Sequence, residues 1–378
     1  MTVLLVAAET PFPPESGTRL RNVHLARRLA AELPVEMVVL GPVGAAEGEP
    51  YPVAGVPHRA SRARSLAASV LRPYSAAKHD SAALARYVGE RAPAVVQAQE
   101  VWVVPAALAA GRPVILDAHN VERDLLRSFA AAEPRPLHRA RWRWESRKAA
   151  AWEGARVREA TAVCAMSDHD AAALEGYGAR EVLVVPNGVD TAAVSYRETA
   201  AGAGLLFVGH YGYQPNAAAA RELAGEILPR VRERRPDATL ELVGREPPAS
   251  LERQPPPGVR VTGAVPDVLA HLHSARAVVF PLRSGSGTRL KALEAMAAGV
   301  PVISTALGVQ GLDVRHGEDV LIGETPAELA ELAARVITDD ALALRLSAAG
   351  RALVERRYDW GAVARPLIEL HLRLQGSP

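Results

Sequence analysis

The densest chemistry in the chain lies in residues 285–302, GSGTRLKALEAMAAGVPV. A glycine-rich turn there runs into a helical pattern that carries Arg289, Lys291 and Glu294 early and ends at Gly299-Val300-Pro301. Thr288 is a fitting N-cap or first-turn residue. Free N–H groups at a helix start, reinforced by the helix dipole, bind anions, and glycines let the backbone approach them closely. Arg289 and Lys291 would add full positive charge. Glu294 follows Lys291 by three positions, so its carboxylate falls about one turn further on, where it can accept hydrogen bonds from hydroxyls. A phosphate joined to a ribose meets both demands. The same spacing also suits an ordinary solvated helix in which Lys291 and Glu294 pair at i,i+3. A second polar cluster is "ILDAHNVE", where His119 closes an apolar strand with Asn120 beside it.

The elements that must position these groups follow a repeated pattern of short apolar runs and longer helical stretches, the mark of parallel βαβ units. One set of strands is expected at residues 3–8, 35–40, 95–98, 114–117, 162–165 and 182–185. The second is expected at 205–208, 239–243, 259–262, 277–280, 302–304 and 320–322. Helical stretches at 19–32, 217–234, 288–298 and 326–338 lie between them. Such sheets are covered on both faces and bind ligands beyond the carboxyl ends of their strands, where His119 and the 285–302 turn both fall. We therefore expect an α/β chain of two Rossmann-like parallel-sheet domains facing a central cleft. The first spans residues 1–187, a linker spans 188–203, and the second spans 204–355. A C-terminal helix at about 356–378 packs back on the first domain, with a kink expected at Pro366.

Composition narrows the partners. A chain of 378 residues, 49% hydrophobic and 23% charged, is long enough for two cores. Its net charge of +2, with arginines scattered rather than gathered in a tail, gives no reason to expect nucleic acid. The single Cys164 lies in the apolar run "ATAVCAM" and reads as a small core residue in a reducing compartment. No apolar run reaches the roughly 20 residues that span a bilayer, and the N-terminus reads as a strand, so a cytoplasmic location is expected. The stretch 58–72, HRASRARSLAASVLR, is either a solvated face or a peripheral contact with an anionic membrane surface or a lipid-linked acceptor. Trp142, Trp144 and Trp152 sit on one helical stretch, for packing or for stacking on an acceptor. The first βα turn, "ETPFPPESGTRLR", lacks G-x-G-x-x-G, which disfavours a dinucleotide oxidoreductase. No acidic pair suggests a metal site, since Asp339-Asp340 lies between two helical patterns as a helix-start signal.

The segment "VFPLRSGSGTRLKALEAMAAGVPVISTALGVQGL" resembles the donor-binding signature of retaining GT-B glycosyltransferases of the GT4 type, in the bacterial subset that pairs GSGTRLK with LEAMA. "LLFVGHYGYQPNAAAARELAGEILPRV" is similar to the first strand and helix of that family's donor lobe, and "VTGAVPDV" to its base-contacting loop. "PNGVD" resembles the interdomain link, "PFPPESGTRLRNVHLARRLA" the glycine loop after strand one, and "LDAHNVE" the segment with the active-site histidine. The resemblance implies transfer of a sugar from a nucleotide-diphosphate sugar to an acceptor hydroxyl, with retention, without metal and with no cofactor beyond the donor. The acceptor would be a glycan, a lipid-linked molecule or a small molecule; no oligomeric state follows.

Residue by residue, the resemblance makes Glu294 the holder of the ribose hydroxyls and the amides around Thr288–Leu290 the diphosphate site. Arg289 and Lys291 would neutralise the leaving group, because "FVGHYGYQPN", with Gly209 and His210, lacks the Arg and Lys that many relatives carry there. Gly17 would let the backbone approach the diphosphate, Val265 would read the base edge, and His119 with Asn120 would contact the transferred sugar. The family's earlier glutamate, eight positions before Glu294, is replaced by Ser286, with Gly287 next to it. Two alternatives therefore stand beside transfer: a nucleotide-sugar epimerase or hydrolase on the same fold, or a catalytically weak nucleotide-sugar-binding protein.

Overall fold

The computed structural model describes residues 2–14, 16–58, 61–284 and 289–376. The chain divides into two compact units, 1–187 with 363–378, and 188–362. Unit 1 holds seven parallel strands: β1 (Val3–Ala7), β2 (Val35–Leu40), β3 (Val53–Val56), β4 (Val95–Ala98), β5 (Val114–Asp117), β6 (Ala162–Ala165) and β7 (Val182–Val184). Their order across the sheet is β3-β2-β1-β4-β5-β6-β7. Unit 2 holds β8 (Gly204–Val208), β9 (Thr239–Val243), β10 (Val259–Gly263), β11 (Ala277–Phe280), β12 (Val302–Ser304) and β13 (Leu321–Ile322), in the order β10-β9-β8-β11-β12-β13.

These strands form where valine, leucine and alanine run together, because a sheet covered on both faces buries every position rather than every second one. Val3 to Ala7 are all buried, in parallel register with Val35 to Val39 on one side and Val95 to Ala98 on the other. One strand, β3, was not expected. It reads VAGV between Pro52 and Pro57, with a glycine inside, and it occupies the sheet edge, where such sequence is tolerated.

In each sheet the strand order reverses once, between β1 and β4 in unit 1 and between β8 and β11 in unit 2. Loops leaving adjacent strands at such a switch point turn apart and open a crevice at the carboxyl ends. The loops after β1, β4, β8 and β11 are therefore where ligands belong.

Helix boundaries follow local chemistry. The helix Gly17–Ala30 starts at Ser16, whose side chain accepts from the Arg19 amide. The helix Pro326–Thr338 starts with a capping box between Thr325 and Glu328. The stretch expected as one helix at 217–234 is helical over Gln214–Glu222, opens into a π turn at Leu223–Ile227 and resumes over Leu228–Arg234. Pro229 accounts for the interruption, since it has no N–H to donate and its ring crowds the preceding turn. Pro366 does not break the last helix, Trp360–Gln375. On that helix His371 Nε2 lies 2.7 Å from Gln97 Oε1 of β4, both fully buried, and burial pushes the imidazole down to about 4, so it is neutral at pH 7. Cys164 is buried, and desolvation raises its thiol far above the usual range.

Residues 188–203, expected as a linker, are bound into unit 2. Val189 N donates to Tyr358 O, and the Arg351 guanidinium donates to the carbonyls of Thr191 and Val194 at 3.0 and 2.8 Å.

A buried carboxylate controls the helix pair Glu122–Ala132 and Pro136–Glu159. Glu153 accepts from the Glu122 amide at 2.9 Å and so caps the first helix from the second. Desolvation raises the Glu153 carboxyl to about 7; desolvation first and the Glu153 charge second raise Glu122 to about 8. The native state therefore holds protons that the unfolded chain releases above about pH 4.5. Stability contributed by these groups is full below that pH and is lost as pH rises toward 8. Glu122→Gln should flatten the decline of the melting temperature between pH 5 and 8, measured by thermal scans across that range.

Candidate functional site

In unit 1 the site is built on one buried ion pair. Arg21, on the inner face of the helix Gly17–Ala30, grips Asp117 at the end of β5 with both arms of its guanidinium. Nε donates to Oδ2 at 2.9 Å and Nη2 to Oδ1 at 2.6 Å, and neither side chain is exposed. The same guanidinium donates to Pro186 O at 2.9 Å and Asn187 Oδ1 at 3.3 Å, beyond β7. Burial alone would raise the Asp117 carboxyl, but Arg21 and His119 outweigh it and hold the group well below the usual carboxylate range.

His119, two residues after Asp117, has a side chain only 6% exposed. Its Nε2 lies 3.3 Å from Asp117 Oδ2 and its Nδ1 lies 3.8 Å from Glu100 Oε1 in the loop after β4. Neither nitrogen has a hydrogen-bond partner within the protein. A carboxylate thus stands on each side of the ring. Desolvation raises the Glu100 carboxyl.

Glu100 also lines a cavity of about 300 Å³ with Glu9, Ser16, Thr18, Asn22 and His79. It lies at the β1/β4 switch point, where the buried Asn22 Oδ1 and both His79 ring nitrogens make no hydrogen bond within the protein, His79 Nε2 standing 3.8 Å from Glu9. Burial, the largest influence, lowers the His79 pKa. A second cavity of about 360 Å³ shares His79 and Trp102 with the first and adds Trp152, Arg72 and Arg156. Trp152 carries the Arg156 guanidinium over its ring at 4.8 Å. The other two tryptophans of the helix Pro136–Glu159 differ: Trp142 packs edge-on against Phe129, and Trp144 is exposed.

In unit 2 the corresponding loops follow β8 and β11. Gly209 follows β8, and its carbonyl comes so close to Gly244 after β9 that a Cβ at Gly244, whose φ is 145°, would collide with it. His210 stands exposed with Nε2 3.5 Å from Glu246, and its carbonyl accepts from Asn216 Nδ2. Tyr211 is a core residue whose hydroxyl donates to backbone carbonyls. Val265 is partly buried against the unit 2 core, in the loop that opens after Gly263.

After β11 the helix begins at Leu290 and ends at Gly299, which is left-handed at φ 85°. Ser286, Gly287 and Thr288 lie outside the described residues. Arg289 is the N-cap residue, and its side chain is buried. It is 9% exposed, its Nε donates to Leu307 O at 3.0 Å, and burial lowers its pKa. Lys291 and Glu294 form the i,i+3 pair at 2.8 Å, with Glu294 25% exposed and Lys291 more so. The carboxylate is therefore at the surface of unit 2 and available to hydroxyls.

Of the predicted residues, unit 1 brings His119 beside Asp117, with Asn120 next in the chain and Gly17 at the first turn of the Arg21 helix. Unit 2 gathers Leu290, Lys291 and Glu294 on one helix start and places Gly209 and His210 after β8. Sequence reading missed Arg21, Asp117 and Glu100. Arg21 and Asp117 are 96 positions apart, and nothing local to either marks it as a partner. Among the described residues there is no group of three or more His, Cys, Asp or Glu arranged to hold a metal ion, and no helix long and apolar enough to cross a membrane.

Two family models match the chain. Residues 16–193 match Glycosyltransferase Family 4, and residues 202–339 match Glycosyl transferases group 1. Glycogen synthase of Mycobacterium tuberculosis is 32% identical over 249 residues, covering 60% of this chain and 58% of that protein. Phosphatidyl-myo-inositol mannosyltransferase of Mycobacterium leprae is 30% identical over 203 residues, covering 50% and 53%. The chain thus spans somewhat over half the length of the curated relatives it matches. Sucrose-phosphate synthase from Thermosynechococcus elongatus superposes with a TM-score of 0.71 at 19% identity over 99% of both chains. Anabaena Alr3699/HepE in complex with UDP-glucose superposes with a TM-score of 0.66 at 17% identity, over 98% of this chain and 99% of that one. The fold is GT-B, and each unit contains sequence that matches a glycosyltransferase family model.

The buried pair yields a stability test. Arg21→Met leaves the Asp117 carboxylate buried without its partner and should cost about 3–5 kcal/mol in urea unfolding. Arg21→Met with Asp117→Leu should recover most of that loss, because no lone charge remains. A double variant as unstable as the single one would contradict this account.

Proposed function

We propose that the protein is a glycosyltransferase that moves a sugar from a nucleotide-diphosphate sugar to an acceptor hydroxyl, with retention of configuration and without metal. One observation carries the reading. Within the segment matching Glycosyl transferases group 1, the loop after β11 leads into a helix whose first turns present Lys291 and Glu294 to solvent. The likeness to a UDP-glucose complex supports a nucleotide-sugar donor.

In this reading the diphosphate rests on the amides at the start of the Leu290 helix, where dipole and backbone donors favour negative charge. Lys291 is the exposed cation available to the leaving group, with Arg289 behind it on the Leu307 carbonyl. Glu294 exchanges its bond to Lys291 for the ribose hydroxyls. Val265 reads the base edge, and Gly17 lets backbone approach the phosphates. The acceptor hydroxyl enters the polar cavity of unit 1, where Ser16, Thr18, Asn22 and Glu100 can bond a polyol.

His119, beside Asp117, contacts the transferred sugar as positive charge develops at its reacting carbon. The departing phosphate takes the acceptor proton on the same face, so catalysis rests on stabilising the leaving group and on positioning. The protein works in the cytoplasm, with a peripheral contact at the inner face of the membrane.

A thermal-shift screen against nucleoside diphosphates and their sugars tests the donor, since a ligand at 100 times its Kd stabilises by about 2.7 kcal/mol. At least one nucleotide should raise the melting temperature. Glu294→Ala should raise the donor KM about tenfold or more, the cost of one charged hydrogen bond. His119→Ala should lower kcat on the order of a hundredfold with donor KM nearly unchanged. Normal kinetics in both variants would remove these assignments.

A further inference from the structure

Nine large apolar side chains stand exposed among the described residues, and five of them fall in two stretches of unit 1: Leu66, Val70 and Leu71, then Leu137 and Trp144. Leu71 is 89% exposed and Leu137 85%. On the helix Pro136–Glu159, Leu137, Arg141, Trp144 and Lys148 follow one another at i, i+4, i+7 and i+11, so they form a single stripe.

That stripe runs beside the first stretch. Lys148 donates to the carbonyls of Ser69 and Arg72, and Glu145 accepts from the Tyr74 amide at 3.2 Å. The segment that follows the helix Arg62–Ala68 therefore packs beside Lys148 and Glu145, one turn along the helix from Trp144.

The charge of this face is predominantly positive. Residues 58–72 contain no acid, and residues 136–148 contain only Glu145, which is engaged by Lys148. Arg62, Arg141, Arg143 and Arg147 are exposed. On the flank, Arg143 and Arg147 join Arg123 and Arg127 around a hollow of about 410 Å³, room enough for a phosphate headgroup. Only Arg123 and Arg127 of these four face an acid, the shared Asp124.

Exposed leucine, valine and tryptophan among arginines is unfavourable in water. It is favourable at the boundary of an anionic bilayer, where apolar groups enter the acyl region, the indole sits at headgroup level and arginines meet lipid phosphates. We infer that unit 1 docks on an anionic membrane surface through the face made by Leu66, Val70, Leu71, Leu137 and Trp144. This deepens the peripheral contact proposed above and rests on the glycosyltransferase reading only for its purpose. The physical attraction does not depend on catalysis.

The test is co-sedimentation of the full chain with phosphatidylcholine vesicles, with and without phosphatidylglycerol, at low and high salt. Binding to the anionic vesicles, weakened by salt and absent from the neutral ones, is the expected result. Val70→Ser with Leu71→Ser should weaken it about tenfold or more. Arg141→Gln with Arg143→Gln should weaken it on the order of twentyfold, about fivefold for each arginine. Both variants should keep the wild-type melting temperature and nucleotide response, so a failure of the donor reading shows separately. No binding to anionic vesicles, or unchanged binding in both variants, overturns the proposal. So does a wild-type dimer in sedimentation velocity that Leu71→Ser dissolves, because a second copy would then be what covers the face.

Discussion

A guanidinium and a carboxylate, both withdrawn from water, hold the end of unit 1 together. Arg21 satisfies Asp117 with two parallel hydrogen bonds and spends its remaining N–H capacity on the chain beyond β7. Taking two charges out of water is expensive, and attraction in the interior offsets that cost only where geometry is good and all lone pairs are satisfied. Here the planar fork of arginine meets that condition. Three chain segments must be in register for it: the helix after β1, the end of β5 and the loop after β7. The position of His119 follows, because Asp117 has an edge left over for the imidazole.

Unit 2 solves a different problem. Its Lys291–Glu294 pair stays at the surface, with side chains 46% and 25% exposed. Lys291 and Glu294 satisfy each other at modest strength, and an exposed pair of this kind is readily given up for other partners. Arg289 is committed to a backbone carbonyl instead. The contrast separates a buried pair that fixes a shape from an exposed pair that can be traded.

Local sequence was informative where physics is local. Both sheets were readable because a doubly covered parallel strand is an uninterrupted apolar run, and the Pro326 helix was readable from its capping residues. The edge strand β3 escaped because its proline and glycine signals say loop unless the sheet edge is known. The continuous helix through Pro366 and the broken one before Pro229 show that proline alone does not fix the outcome; surrounding packing decides whether its lost hydrogen bond is tolerated.

By itself the sequence determined the repeated βαβ pattern, the two cores and the helix start bearing Lys291 and Glu294, because periodicity and short spacings act through neighbours in the chain. Tertiary structure alone decided that Asp117 belongs to Arg21, that Glu100 and His79 share a cavity, and that Arg289 is buried. Those outcomes depend on partners tens of residues away, brought close by strand order, and on the energetic penalty for leaving a buried charge without one. No local pattern records either.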